Sequence, residues 1–410
     1  MAFITNNSIA QFSLSGEFRP RSEYSHGYKS LAADNQKASL FTSQRTRINF
    51  DFKNDKLTTK LVLHDVRLWG SQAQSVGNED KAVSVHEAWA EVALFDKFTL
   101  KAGRQEVFYN NQRIFGNGAW VQQSRSHDMA LLKYTGTVKA HFGFAYHEGG
   151  DIKNNFYLGP DAYKAMQFLW VNKTFDKLDL SFLFLNNGKE TVTRNAITNA
   201  VESVAIEYSQ TYGAHIEHSM GGFGIAANAY LQGGKDGTGK ELNAYEAALN
   251  LSVKVNDLFS LNTGFEILSG NTQINPDNVN RSFTPIYGTN HRFNGHMDYF
   301  YVGAPSGVGL LDIFFGTTVT RGKFNAELTG HMFSAAADIN DAANPGTALN
   351  SYLGTEFDFL MGYKLNDWVV CQAGYSQMFG TNSMKAIRNG STEATSNWAW
   401  LMFTFKPKFL

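Results

Sequence analysis

Long stretches of this chain alternate polar and apolar residues with a period of two, and few folds tolerate that pattern at such length. From Gln11 to Glu23 the odd positions read Gln, Ser, Ser, Glu, Arg, Arg, Glu, while Phe12, Leu14 and Phe18 hold even ones. The same alternation sets Val138, Ala140, Phe142 and Phe144 against Lys139, His141 and Gly143. It returns with Tyr245, Ala247, Leu249 and Leu251 against Glu246, Ala248, Asn250 and Ser252, and with Phe259, Leu261, Phe265 and Ile267 against Ser260, Asn262, Gly264 and Glu266. A period of two sends successive side chains to opposite faces of a strand. Helical periodicity is not sustained anywhere. Strands of 10 to 13 residues are about twice the usual globular length of about 5–6, and match the roughly 9–11 that a tilted strand needs to cross a bilayer.

The punctuation is regular. Tight turns fall at Lys53-Asn-Asp-Lys, Leu94-Phe-Asp-Lys, Tyr134-Thr-Gly-Thr, Thr174-Phe-Asp-Lys, Ser219-Met-Gly-Gly, Val255-Asn-Asp-Leu, Thr320-Arg-Gly-Lys and Leu365-Asn-Asp-Trp. Between them lie longer polar connections near 25–39, 70–82, 110–126, 148–162, 188–204, 234–240, 270–306, 336–350 and 380–395. Eight short turns and nine long loops join 18 antiparallel strands, with both termini on the short-turn side. An even count permits closure, and in lipid a sheet satisfies its backbone only as a closed barrel. Each turn has an aromatic in or beside it: Phe52, Phe95, Tyr134, Phe175, Phe223, Phe259, Phe324 and Trp368. Such a girdle belongs at a membrane interface. The expected fold is therefore all-β: one 18-stranded antiparallel transmembrane barrel over residues 1–410, of outer-membrane type, with short periplasmic turns and long extracellular loops. A soluble sandwich or propeller also alternates, but needs neither uniform long strands nor long loops at one end only.

Composition agrees: 14% aromatic, 37 glycines and only 7 prolines. The formal charge of -1 leaves no general footprint for nucleic acid. Cys371 is the single cysteine, and no Cys/His cluster has zinc spacing, so neither disulfide scaffold nor structural metal is expected. No apolar run approaches the roughly 18 residues of a transmembrane helix. The opening MAFITNNSIAQF lacks the basic and apolar stretches of a secretory signal, so an exported chain is expected to have been processed.

Energy decides which face is wet. Arginine facing lipid at the midplane costs about 2–4 kcal/mol, so the face carrying Arg19, Arg21, Arg45, Arg47, Asp51, Glu207, Glu217, Glu246, Glu266, Glu327, Glu356 and Asp358 points inward. Eighteen strands enclose more space than their own side chains fill, leaving an aqueous lumen. Of 13 arginines, 8 precede residue 150: Arg19, Arg21, Arg45, Arg47, Arg67, Arg104, Arg113 and Arg125. On neighbouring strands these would form a cationic wall opposed by later carboxylates. The longest connection, Gly270 to Ser306, is the candidate to fold into the lumen, with His291, Arg292, His296 and Asp298 at a constriction.

Arg19 with Arg21, the Ser43-Gln-Arg-Thr-Arg-Ile strand, Asp65-Val-Arg-Leu-Trp-Gly, Glu87-Ala-Trp-Ala-Glu, the run from Gly103-Arg-Gln-Glu to Arg125 and Asp128, and Gly288-Thr-Asn-His-Arg-Phe-Asn-Gly-His-Met-Asp-Tyr-Phe together resemble the alginate-export family of Gram-negative outer-membrane porins, in its Bacteroidota-type members. The resemblance implies an 18-stranded barrel with a cation-lined conduit, and an anionic polysaccharide as substrate in founding members. By position, it makes Arg47, Arg67, Arg104, Arg113 and Arg125 the cationic lining, with Glu87 and Asp128 as carboxylate partners. Arginine is sparse after residue 150, where the lumen turns acidic, so a smaller hydrophilic solute, anionic or saccharide, fits as well.

Other motifs carry less. Gly234-Lys-Asp-Gly-Thr-Gly-Lys-Glu nearly spells a phosphate loop, but Glu241 stands where the magnesium-binding Ser or Thr belongs. His64-Asp65 and His127-Asp128 are adjacent in strands, point to opposite faces and cannot share a site. No Gly-x-Ser-x-Gly occurs, so no catalytic residue and no cofactor is assigned. The expected function is passive diffusion or export through an outer-membrane channel surrounded by lipid and lipopolysaccharide. The alternative is a plugged barrel acting as surface receptor, adhesin or structural partner of another envelope complex.

Overall fold

The computed structural model describes residues 11–75, 83–147, 163–303 and 305–410. The barrel strands are β1 (Gln11–His26), β2 (Ser39–Lys53), β3 (Leu57–Leu68), β4 (Val83–Phe95), β5 (Phe98–Gln105), β6 (His127–Thr135), β7 (Lys139–Tyr146), β8 (Ala165–Phe175), β9 (Leu178–Arg194), β10 (Val201–Met220), β11 (Phe223–Gly234), β12 (Ala244–Lys254), β13 (Phe259–Leu268), β14 (Leu310–Arg321), β15 (Phe324–Ser334), β16 (Tyr352–Lys364), β17 (Val369–Gly380) and β18 (Ser396–Phe405). Each pairs antiparallel with its sequence neighbours, and β1 pairs with both β2 and β18, closing an 18-stranded barrel. At the closing seam the β1–β18 register passes from Phe18 opposite Phe405 to Arg21 opposite Met402, skipping Pro20, which has no N–H to donate. Among the described residues no helix is long and apolar enough to cross a membrane.

Short turns at one end and long loops at the other follow the expected alternation, with one correction. The stretch 188–204 is mostly strand, because β9 and β10 stay paired as far as Arg194 and Val201 and leave only residues 195–200 as the turn. Above the rim no lipid selects apolar residues, so Lys189-Glu-Thr-Val-Thr-Arg reads as polar loop while its backbone keeps the ladder. The loop 381–395 also holds one short helix, α1 (Asn382–Arg388), capped by Thr381 Oγ1 accepting from the Met384 N–H. The expected loop 148–162 lies outside the described residues.

The faces separate by register. Phe142, Phe144, Leu169, Phe182, Phe184, Phe265, Phe315, Phe357 and Phe359 are exposed on the outside, while Arg19, Arg45, Glu246, Glu266, Asp312, Glu356 and Asp358 are buried on the inside. The protein thus departs from a soluble sandwich: large apolar side chains face outward, and charged side chains are buried inside together with an apolar cluster.

Candidate functional site

Two long-loop segments fold into the barrel. The first, residues 106–126 between β5 and β6, carries Val107, Ile114 and Phe115, all buried. Exposed loops rarely hold three such residues, and here they pack with Tyr109 of the same segment against Phe168 and Trp170 on the inner wall, Tyr109 stacking on Trp170 at 4.5 Å. Polar anchors surround this apolar kernel. Arg19 donates to the carbonyls of Ala119 (2.8 Å) and Trp120 (3.1 Å). Arg21 donates to the Trp120 carbonyl at 2.8 Å and stacks over its ring, and Arg45 reaches Ser124 Oγ at 2.8 Å while paired with Glu17. On other walls Asn111 donates to Asn228 (2.9 Å), and the Glu106 N–H donates to Glu87.

The second segment, residues 269–309 between β13 and β14, buries Phe283, Tyr287, Met297, Tyr299, Phe300 and Val308. It docks on β16 and β13: the Met297 N–H donates to Glu356 (2.8 Å), the His296 N–H to Asp358 (3.2 Å), and Asn294 Nδ2 to Glu266 (2.6 Å). Tyr287 donates to Asn187 of β9, and Tyr299 to the Gly27 carbonyl at 2.6 Å.

The segments meet inside the barrel. Gly116 N–H donates to the Tyr287 carbonyl (2.8 Å), and Thr289 N–H to the Gln112 carbonyl (3.0 Å). Arg125 donates to the Gly288 carbonyl at 3.0 Å. A Cβ on Gly116 would lie 2.3 Å from Thr289 Oγ1, and one on Gly288 would lie 2.4 Å from the Arg113 carbonyl oxygen, so glycine is what allows the backbones this close. Arg113 sits at the junction, almost fully buried, paired with Glu266 at 2.6 Å and donating to Asn294 at 3.0 Å. A partition anchored around the circumference thus crosses the lumen.

The sequence-predicted residues divide sharply. Arg19, Arg21, Arg45, Arg47, Glu87, Glu356 and Asp358 face inward, and Arg113 and Arg125 belong to the inward segment. Three placements in the lumen are corrected. Arg67 pairs across from Gln44, on the outward face with Leu61 and Leu63, bonded to Asp65. Arg104 lies opposite Ala88 and Asp128, and its 2.7 Å pair with Asp128 is also on the outside, since the inward positions of β5 and β6 are Gly103, Gln105, His127 and Met129. All three sit toward the long-loop ends of their strands, where an outward charge costs little because it is beyond the apolar midplane. Most inward arginines are also not bare lining: their donors hold carbonyls of residues 119–123.

In the 290s, His291 is buried, stacked on Trp120 at 4.4 Å and bonded to Asp298 at 2.7 Å. Asp298 also accepts from Tyr28, whose phenol is pushed above its ordinary range by burial and by that carboxylate, so it stays a donor. Burial holds the His296 imidazole below its usual value. Arg292 alone of the four is exposed. Residues the sequence reading did not single out include Trp120, Asn294 and Glu106; apolar content within 106–126 was the available signal. Among the described residues no cluster of His, Cys, Asp or Glu could hold a metal ion.

No protein-family model matches this chain, and no curated protein matches it. Solved structures do. Acinetobacter baumannii OccAB1 superposes with a TM-score of 0.65 at 11% identity, covering 97% of this chain and 97% of that one. Pseudomonas aeruginosa OccK11 (OpdR) gives 0.60 at 11% identity, covering 98% and 96%. The outer membrane protein opdK from Pseudomonas aeruginosa gives 0.60 at 8% identity, covering 97% and 99%. The architecture is that of the closed 18-strand barrel seen in OprD/Occ outer-membrane porins.

Proposed function

We propose that this chain is an outer-membrane porin that passes small hydrophilic solutes, anionic or saccharide, by diffusion through a lumen edged with arginine. The observation that carries the reading is the closed barrel with an apolar exterior and charged interior. Lipid and lipopolysaccharide surround it, with Arg67, Arg104 and Asp128 at the rim turned toward headgroups. Arg47 and Arg125, only partly buried, supply the cationic edge, the buried Arg19, Arg21, Arg45 and Arg113 add positive charge behind it, and the buried Glu87, Glu356 and Asp358 are the opposing carboxylates. A guanidinium matches carboxylate geometry bidentately. Supporting the anionic class are the resemblance to alginate exporters and the structure of Pseudomonas aeruginosa OpdK with vanillate.

Liposome swelling with neutral, anionic and cationic sugars of similar size tests this: anionic sugars enter fastest. Equal rates for all three would remove the electrostatic part, and no swelling the channel itself. Converting Arg45 and Arg47 together to Gln is expected to move the reversal potential in a salt gradient toward cation preference; an unmoved potential would place selectivity elsewhere.

A second reading, a plugged barrel serving as receptor, adhesin or structural partner, draws on the partition's contacts around the whole wall. It predicts no swelling with any sugar.

A further inference from the structure

The first inward segment begins at Glu106 and ends at Ser126, and one imidazole holds both ends. His86 Nε2 lies 2.7 Å from Glu106 Oε1, and His86 Nδ1 lies 3.2 Å from Ser126 Oγ. A β-bulge makes this possible. In the β3–β4 ladder Val62 faces Glu87 while the next pair is Leu63 with Val85, so His86 has no partner across the ladder. The extra residue turns His86 and Glu87 to the same side, and both are buried whereas Val85 is exposed. Inside the barrel His86 stacks on His64 of β3, with ring centres 5.0 Å apart.

The partners decide which protonation this anchor tolerates. A carboxylate only accepts, so a neutral His86 donates from Nε2 to Glu106 and accepts at Nδ1 from the Ser126 hydroxyl. A proton added to His86 keeps Glu106 as counter-ion, and the Ser126 oxygen can accept in turn. His64 has no such provision, because its Nδ1 is buried without a hydrogen-bond partner. The surrounding charges are already matched: Arg45 of β2 with Glu17 of β1, Arg47 of β2 with Glu106, Lys60 of β3 with Glu87 of β4, and Arg104 of β5 with Asp128 of β6. Arg125, beside Ser126 in the chain, adds a further positive charge. None of these carboxylates is left over to compensate a second imidazolium stacked on the first.

Resting on the porin reading, we infer that His64 and His86 form an acid-operated clasp on the first inward segment. With at most one proton, the pair ties residues 106 and 126 to the wall and keeps the segment docked in the conduit. With a proton on each ring, the stacked like charges separate, the two ends lose their common anchor, and the path widens. An unperturbed imidazole titrates at about pH 6.5, so the side chains that hold the constriction can answer to acid.

The test records the full chain in planar bilayers at fixed salt from about pH 8 to about pH 4, an interval that brackets ordinary imidazole titration. Wild-type conductance and transitions between levels are expected to rise in acid and to fall again on return. His64→Phe keeps a stacked ring without a titratable group, leaves every carboxylate in place, and is expected to lose most of that rise. His86→Leu, which anchors neither end, is expected to conduct more than wild type already at the alkaline end and to gain little on acidification. Heat-modified mobility on gels after exposure to each pH checks that the barrel stays folded. Wild-type conductance that does not change with pH, or a full acid rise retained by His64→Phe, would overturn the clasp. A wild type that conducts at no pH would instead remove the porin reading beneath it.

Discussion

Replacing residues 107–125 with a short glycine and serine link between β5 and β6 raises single-channel conductance several-fold. The link removes Phe115, Trp120 and the backbone carbonyls on which Arg19, Arg21 and Arg45 converge. It also removes the contacts of Gly116 and Gln112 with Tyr287 and Thr289, so the second segment loses its partner inside the barrel. An 18-stranded barrel without inward segments is an open aqueous channel. The barrel itself should still form, because its ladders do not use residues 107–125. Heat-modified mobility on gels checks folding, and recordings check conductance. Unchanged conductance in a folded variant would mean that the segment does not obstruct the path.

Arg113→Met should come close to the same result with one atom group changed. Its guanidinium and the Glu266 carboxylate are both buried, and Glu246, another buried carboxylate, lies on the adjoining strand. Removing one partner of a buried pair costs about 3–5 kcal/mol, since the other charge is left uncompensated. That loss falls on the docking of both segments, because Arg113 also donates to Asn294 of the second. The expected readout is a larger, noisier conductance with frequent transitions between levels. A quiet channel of wild-type conductance would show that the junction does not depend on this pair.

Much of the architecture was legible because lipid enforces it. Alternation fixed the faces, and turn chemistry such as Thr174-Phe-Asp-Lys and Thr320-Arg-Gly-Lys marked the short-turn end. The errors have a physical pattern. Arg67 shares strand parity with Leu61 and Leu63, and Arg104 with Leu100 and Ala102, so parity already pointed both outward. The energetic rule that sends arginine inward holds at the bilayer midplane and lapses near the rim. The lumen was harder to read, because a loop folded inward obeys no period. Its signal was the presence of Ile114, Phe115, Tyr287, Met297 and Phe300 in segments otherwise polar enough to be surface. The use of arginine as backbone clamp rather than bare lining could not be read either, since it depends on carbonyls about 100 residues away in sequence, as with Arg19 and Ala119.

Planar-bilayer recording of the purified, intact chain bears most directly on the central claim that the barrel encloses a water-filled path narrowed by two inward segments. Discrete, small conductance steps, enlarged when residues 107–125 are replaced, are the predicted result. Absence of any conductance in both the intact and the shortened protein would contradict it, as would a polypeptide that remains a compact monomer in detergent-free buffer.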